Sequence, residues 1–285
     1  MKLSIDTSTQ SIRFGDEKTI QMAKKAGFDC IDYSFDCSDE SKQMCGENYR
    51  ELAQQVRKIL DANDITCNQA HAPEDFCYGC KFDMSDEKYL KIVRSMEAAA
   101  IMGAKHIVVH SIAVPDDIDV FTYNVEFYKS FEKYCEKFGI CIAIENLFSY
   151  NGKTHFHAGR LHTPEQLKRL VKALNSTWYG VCIDVGHAAI TGYEPDEIIR
   201  AFNNQTLKVL HIHDNDYHWD LHLLPYEGRF NWDKIMASLK KIDYKGDFTY
   251  EIFQYLNKYN NDFMEEALLF AAKTGHYLIS KFEEV

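Results

Sequence analysis

The sequence predicts an α/β fold, a (β/α)8 barrel running as a single domain over residues 1–285. Three observations predict it. Short β-branched or apolar runs alternate with longer amphipathic stretches to the end of the chain. Eight such pairs, at about 36 residues each, account for the whole length. Several runs are continuously apolar, as in Ile107-Val108-Val109 and Val181-Cys182-Ile183, which suits a parallel sheet covered on both faces. A doubly wound open sheet is the competing architecture, and the lack of a glycine-rich phosphate turn after the first strand weighs against it.

The elements follow in order. Residues 2–7 read directly into a strand, and a helix over 16–26 stops at Gly27. Strand 30–35, helix 47–62 and strand 66–71 come next. Ser85-Asp86-Glu87 carries an N-cap and an acidic first turn for a helix over 85–102 that ends at Gly103. Strand 106–111 leads to a helix over 120–138 that ends at Gly139. After strand 141–147, Thr163-Pro164-Glu165 opens a helix over 164–174 with a cap and a first-turn proline. Strands 180–185, 207–213 and 248–253 alternate with helices 195–203, 232–241 and 262–280. No linker, low-complexity tract or domain boundary interrupts the series.

Composition narrows the function. The 32 Lys and Arg against 43 Asp and Glu leave a formal charge of −11, which opposes tight binding to a phosphate backbone, so no nucleic-acid partner is expected. No apolar run is long enough to span a membrane and the N-terminus has no signal-peptide pattern, so no membrane association and a cytoplasmic location are expected. Nine cysteines are an odd count. Cys67, Cys141 and Cys182 read as small buried hydrophobes within strands. The single Cys77-Tyr78-Gly79-Cys80 spacing lacks a second pair and reads as incidental.

The chemistry concentrates where a barrel of this kind builds its active site, at the C-terminal ends of the strands. His71 closes the third strand, His110 the fourth and Glu145 the fifth. Asp184 and His187 follow the sixth, His211 the seventh, Asp220 and His222 lie in the next loop, and Glu251 ends the eighth. Any one of these, alone, reads as an ordinary strand-end residue. Nine ionisable groups converging on one mouth would repel and desolvate one another unless a cation offset them, and a divalent metal does so most simply. Imidazole and carboxylate donors without thiolate suit Mn or Zn foremost, with Co and Fe next and Mg less favoured, in a site of one to three ions.

Four motifs carry a resemblance. Ile144-Glu145-Asn146, Asp184-Val185-Gly186-His187, His211-Ile212-His213-Asp214-Asn215-Asp216 and Tyr250-Glu251 resemble those of the xylose isomerase-like TIM-barrel superfamily, whose members include sugar isomerases and epimerases, inosose and dehydroshikimate dehydratases, and endonuclease IV. The resemblance to its ketose 3-epimerases implies one metal held by Glu145, Asp184, His211 and Glu251. It also implies proton transfer by the two glutamates and a substrate contact from His187. The epimerases' arginine after the metal-binding histidine has no counterpart in Tyr217-His218-Trp219-Asp220-Leu221-His222. That loop resembles endonuclease IV instead, which would add His71, His110, His187, Asp220 and His222 as ligands. Leu223-Leu224-Pro225-Tyr226-Glu227-Gly228 resembles a glycine-containing turn of the superfamily, and also reads as a plain connection.

The resulting expectation is a metal-dependent sugar, sugar-phosphate or polyol isomerase or epimerase with Glu145 and Glu251 as proton carriers. A dehydratase of the inosose or dehydroshikimate type would share the enolising step. An abasic-site nuclease would need basic loops, whereas Asp36-Cys37-Ser38-Asp39-Glu40, Pro115-Asp116-Asp117 and His213-Asp214-Asn215-Asp216 are acidic. A non-catalytic metal or sugar binder is the third class. Tyr33, Phe76, Phe148, Tyr150 and Trp219 offer rings near strand ends, Phe148 and Trp219 foremost, to stack on a sugar or to cap the core. Lys153, His155, His157 and Arg160 offer an anion contact or a solvated loop. The expected partner is a small-molecule sugar or polyol, and a homo-oligomer is compatible with the sequence.

Overall fold

The computed structural model describes residues 1–35, 38–74, 82–113, 119–150, 157–158 and 161–284. Phe76, the Cys77 to Cys80 pair, Asp36-Cys37, Pro115-Asp116-Asp117, Lys153, His155 and Arg160 lie outside these residues. Eight parallel strands, β1 Leu3–Asp6, β2 Cys30–Ser34, β3 Thr66–His71, β4 His106–Val108, β5 Cys141–Glu145, β6 Tyr179–Asp184, β7 Leu207–His211 and β8 Phe248–Tyr250, follow one another in sequence order around a TIM barrel, with β8 paired to β1. The ring closes between β7 and β8 through an Ile212–Tyr250 bridge, in which Ile212 N–H donates to Thr249 O at 2.8 Å and Glu251 N–H donates to Ile212 O at 3.1 Å.

Strand alternation places the site. Val108, Ala143, Cys182 and Val209 form a small buried cluster of their own, separate from the large core between strands and helices. In β5, β6 and β7 the residue two further along is Glu145, Asp184 and His211, and a period of two puts it on the same inner side at the mouth. Tyr33 belongs to the opposite side. It is buried in the outer core and its hydroxyl donates to Asp16 Oδ2 at 2.7 Å, so the expected place for it on a substrate wall is corrected.

Several boundaries differ from expectation for identifiable reasons. The first helix, Ser8–Ala26, starts before residue 16 and passes through Gly15 at φ 75°, ψ 169°, a backbone conformation suited to glycine. Glu40 Oε2 takes the Asp16 N–H released there, at 2.7 Å. The helix expected over 120–138 divides into Val120–Lys129 and Glu132–Phe138 at Ser130, whose carbonyl accepts from the Tyr89 hydroxyl at 3.0 Å. Helix Pro164–Leu174 keeps its expected bounds, with Thr163 and Gln166 forming a capping box. Short helices at Asp39–Gln43, Val185–Ile190 and Phe253–Asn257 are additions beside the mouth. None of the six described cysteines forms a disulfide, and Cys141, expected to be buried, is only half-buried. Among the described residues no helix is long and apolar enough to cross a membrane.

Candidate metal centre at the barrel mouth

The nine strand-end residues come together. Donor atoms of Glu145, Asp184, His211 and Glu251 all lie within 4.8 Å of one another, and all four residues are buried. Beside this central group, His187, Asp220 and His222 form a second, His71, His110 and Glu74 a third, and His213 and His222 with Glu251 a fourth. Glu74 was not expected from the sequence, where it follows the strand end in an ordinary acidic loop.

Glu145 links the groups. Its Oε1 lies 3.2 Å from Nδ1 of both His211 and His187, and its Oε2 lies 2.9 Å from His110 Nε2. His71 Nε2 is 3.1 Å from the same nitrogen of His110. Asn146 ties β5 to β6, donating to Asp184 O at 2.9 Å and accepting from Asp184 N–H at 2.8 Å, while its own carbonyl is 3.0 Å from His187 Nδ1. This is what the asparagine of Ile144-Glu145-Asn146 does. Asp184 also caps the short helix Val185–Ile190, accepting the His187 backbone N–H at 2.6 Å.

The loop after β7 is organised around Asp214. Its carboxylate accepts from the backbone N–H groups of Asn215, Tyr226 and Phe230 and from Trp232 Nε1, at 2.8–3.2 Å. A Cβ on Gly228 would fall 2.2 Å from Asp214 Oδ1, so the glycine-containing turn is a wrap around this carboxylate rather than a plain connection. Within the loop His222, at φ 41°, sets Nδ1 2.8 Å from Glu251 O and Nε2 2.9 Å from Asp220 Oδ2. Phe148 sits with its ring 5.0 Å from that of His187, and Trp219 leaves 46% of its surface exposed one residue before Asp220. Tyr150 and His157 belong to a two-residue antiparallel ribbon, Ser149–Tyr150 with His157–Ala158.

Charge explains why these residues fit a divalent cation. Burial opposes ionisation of Glu145, but the imidazoles of His211, His110 and His187 outweigh it and hold its carboxyl well below the usual range. Asp184 is lowered by His187 and His213, and Asp220 well lowered by His222 and His187, each against the burial penalty. The compensating rises fall on the imidazoles: despite burial His187 and His211 lie well above their usual value, and His71 is raised to about 10 by Glu145 and Glu74. Glu251 is pushed up to about 8, by burial first, with the charges of Glu145 and Asp184 adding to it. The protein meets its clustered carboxylates with protons on histidine, the positive charge that a metal ion would bring. His211 Nε2 and Asp220 Oδ1 are buried without a hydrogen-bond partner among the described residues.

Sequence reasoning missed the inner floor. Asp6 and Asp32 are registered side by side on β1 and β2, Gln69 donates from β3 to Asp32 Oδ2 at 2.5 Å, and Asp32 Oδ2 lies 3.6 Å from His211 Nε2. The signal was there in the period of two, which turns Asp32 inward because Tyr33 points out.

Two relatives are uncharacterised proteins. One from Methanocaldococcus jannaschii, MJ1311, is 28% identical over 164 residues, 55% of this chain and 54% of its own length, so the chain spans about half of that relative. The other, y4fM from Sinorhizobium fredii, is 25% identical over 262 residues, 83% of this chain and 81% of its own. A D-tagatose 3-epimerase-like protein superposes over 100% of this chain and 99% of its own, with a TM-score of 0.77 at 21% identity. The IolI protein, solved with a bound zinc atom, does so over 100% of both chains, with a TM-score of 0.74 at 17% identity. At such identities these two establish a shared fold. The family model of the xylose isomerase-like TIM barrel matches residues 20–273, most of the chain, and the protein belongs to that family.

Proposed function

We propose that this single-domain protein is a metal-dependent isomerase or epimerase of a sugar, sugar phosphate or polyol, acting by proton transfer next to a carbonyl. The observation that carries the reading is the buried convergence of Glu145, Asp184, His211 and Glu251 at the mouth. These four would hold the ion, Mn or Zn in first place, and His187, Asp220, His222, His71 and His110 offer donors for up to two more. Such an ion, when bound, polarises a substrate carbonyl and acidifies the neighbouring C–H.

The protein supplies the proton carriers. Glu145 stands on β5 and Glu251 beyond β8, on nonadjacent strands, so one can take the proton from one side of a planar intermediate and the other return it. Their environments push them apart in acidity, the usual sign of divided acid and base roles. His187 and the Phe148 ring beside it provide a polar contact and an apolar wall, and Trp219 offers an exposed ring in the same loop as Asp220. The named activity of the D-tagatose 3-epimerase-like neighbour and the zinc of the IolI structure support this reading. The protein would act in the cytoplasm on a small-molecule substrate, alone or as a homo-oligomer.

The test is turnover of ketoses, their phosphates and inososes in heavy water with added Mn or Zn. Deuterium at the carbon next to the carbonyl is expected. Metal-dependent turnover with the original hydrogen retained would replace proton transfer by a hydride shift and reduce the glutamates to ligands. Loss of water from the product would move the protein to the dehydratases.

The adjoining donor groups favour a second reading, metal-dependent phosphoester hydrolysis of the endonuclease IV type. The charge of −11 opposes a DNA substrate. Incision of abasic duplex that is abolished by chelator and by His222→Ala would establish it; no incision is expected.

A further inference from the structure

We infer that His213 is a positioning residue, which fixes the carboxylate of Asp184 for metal binding and is seated there because residue 186 has no side chain. The inference rests on the metal reading proposed above and gives His213, whose ring also stands within a donor group with His222 and Glu251, a role toward Asp184.

His213 is fully buried, and its Nε2 lies 3.0 and 3.1 Å from the two carboxylate oxygens of Asp184. Its other ring nitrogen, Nδ1, has no hydrogen-bond partner among the described residues. With a carboxylate as the one hydrogen-bond partner of its ring among the described residues, His213 carries a proton on Nε2 and donates it to Asp184. The ring lies flat on His222, with centroids 4.0 Å apart and planes at 19°, and its Nε2 is 3.8 Å from Asp220 Oδ1. One imidazole therefore braces the central donor group against the neighbouring one. Ligating carboxylates are commonly held by such outer hydrogen bonds, which fix the direction of their lone pairs.

Gly186 shows that the seat is built. It lies in the short helix Val185–Ile190 without a positive φ, so its backbone does not require glycine, and alanine would favour the helix by about 1 kcal/mol. A Cβ there would fall 1.9 Å from His213 Cε1 and 2.4 Å from Nε2, a collision with the body of a buried ring. The glycine of Asp184-Val185-Gly186-His187 is thus the slot for His213.

The experiment compares wild type with His213→Ala, His213→Gln, Gly186→Ala and the Gly186→Ala/His213→Ala double variant. Affinity for Mn and Zn is measured by competition with a chromogenic chelator, and Tm in chelator. His213→Ala should weaken metal binding about 10–100-fold, the range for loss of an outer-shell partner, and His213→Gln, which keeps a donor, should recover part of it. Gly186→Ala should weaken metal binding comparably and lower the metal-free Tm. The double variant should bind no more weakly than His213→Ala and melt above Gly186→Ala, because the clash has gone. Wild-type affinity in His213→Ala, or additive losses in the double variant, would overturn the inference while leaving the metal reading intact. If His213→Ala does not fold, wild-type affinity in Gly186→Ala would overturn it equally. A wild-type protein that takes up neither metal would overturn both.

Discussion

Replacing Glu251 with Gln should stabilise the metal-free protein and weaken the metal-bound one, two effects of opposite sign from one substitution. Glu251 is 7% exposed, and its carboxyl is pushed up from 4.5 to about 8, by burial first and then by Glu145 and Asp184. In the absence of metal the folded state holds a proton that the unfolded chain releases, so stability falls as pH rises from about 4.5 to about 8. At about 1.4 kcal/mol per pH unit, the accumulated cost at pH 8 is of order 3–5 kcal/mol. Gln cannot ionise and carries none of it. With roughly 2 °C per kcal/mol for a chain of this size, the variant in chelator at pH 8 should melt about 6–10 °C above wild type, and the difference should vanish near pH 4.5. With metal at a thousandfold excess over Kd, wild type should gain about 4 kcal/mol by linkage. The variant, short of one ligand charge, should gain less. With Glu251 as a proton carrier, as proposed above, turnover should fall at least about 10²-fold. Calorimetric melts at pH 4.5 and 8, with chelator and with Mn, measure each part. A metal-free variant no more stable than wild type at pH 8, or an equal metal-induced shift in both proteins, would refute the reasoning.

Three further outcomes are expected. The Asp16 carboxyl, far along the outer core, is raised from 3.8 to about 6 because burial outweighs the Tyr33 hydrogen bond, so its cost grows between those pH values; Asp16→Asn should add about 1–3 kcal/mol in urea melts at pH 7.5 and nothing at pH 3.8. Asp214→Asn removes the charged acceptor of four N–H groups and should cost about 2–4 kcal/mol, and metal titration should show the Asp220–His222 group weakened before the central one. Metal uptake at pH 7 should release at least one proton per ion, because His187 and His211 lie well above their usual value in the metal-free protein and must be neutral to bind; calorimetry in buffers of different ionisation enthalpy measures it, and a heat independent of buffer would refute it.

The strand ends were legible because the barrel imposes two regular rules on one stretch of sequence. Alternation sends every second residue inward, and the C-terminal end of the strand is where inward residues meet the mouth. Ala143 then Glu145, Cys182 then Asp184, and Val209 then His211 each show a small interior residue followed by a donor. Such a pattern survives in one dimension. His213 continued the same alternation and so read as the end of strand 207–213, but β7 stops at His211, and Ile212 bridges to Tyr250 while the chain bends into the Asp214 loop. What His213 does depends on Asp184 and Gly186, 29 and 27 positions back in the sequence, and neither its own neighbours nor the spacing within Asp184-Val185-Gly186-His187 encodes a collision at 1.9 Å. Glycines carried the same ambiguity. Gly27, Gly103 and Gly139 were readable as helix stops because a left-handed C-cap is a local requirement, met at φ 102°, 109° and 68°. Gly186 and Gly228 answer to side chains from elsewhere, a buried ring and a buried carboxylate, and are intelligible only once the barrel has closed.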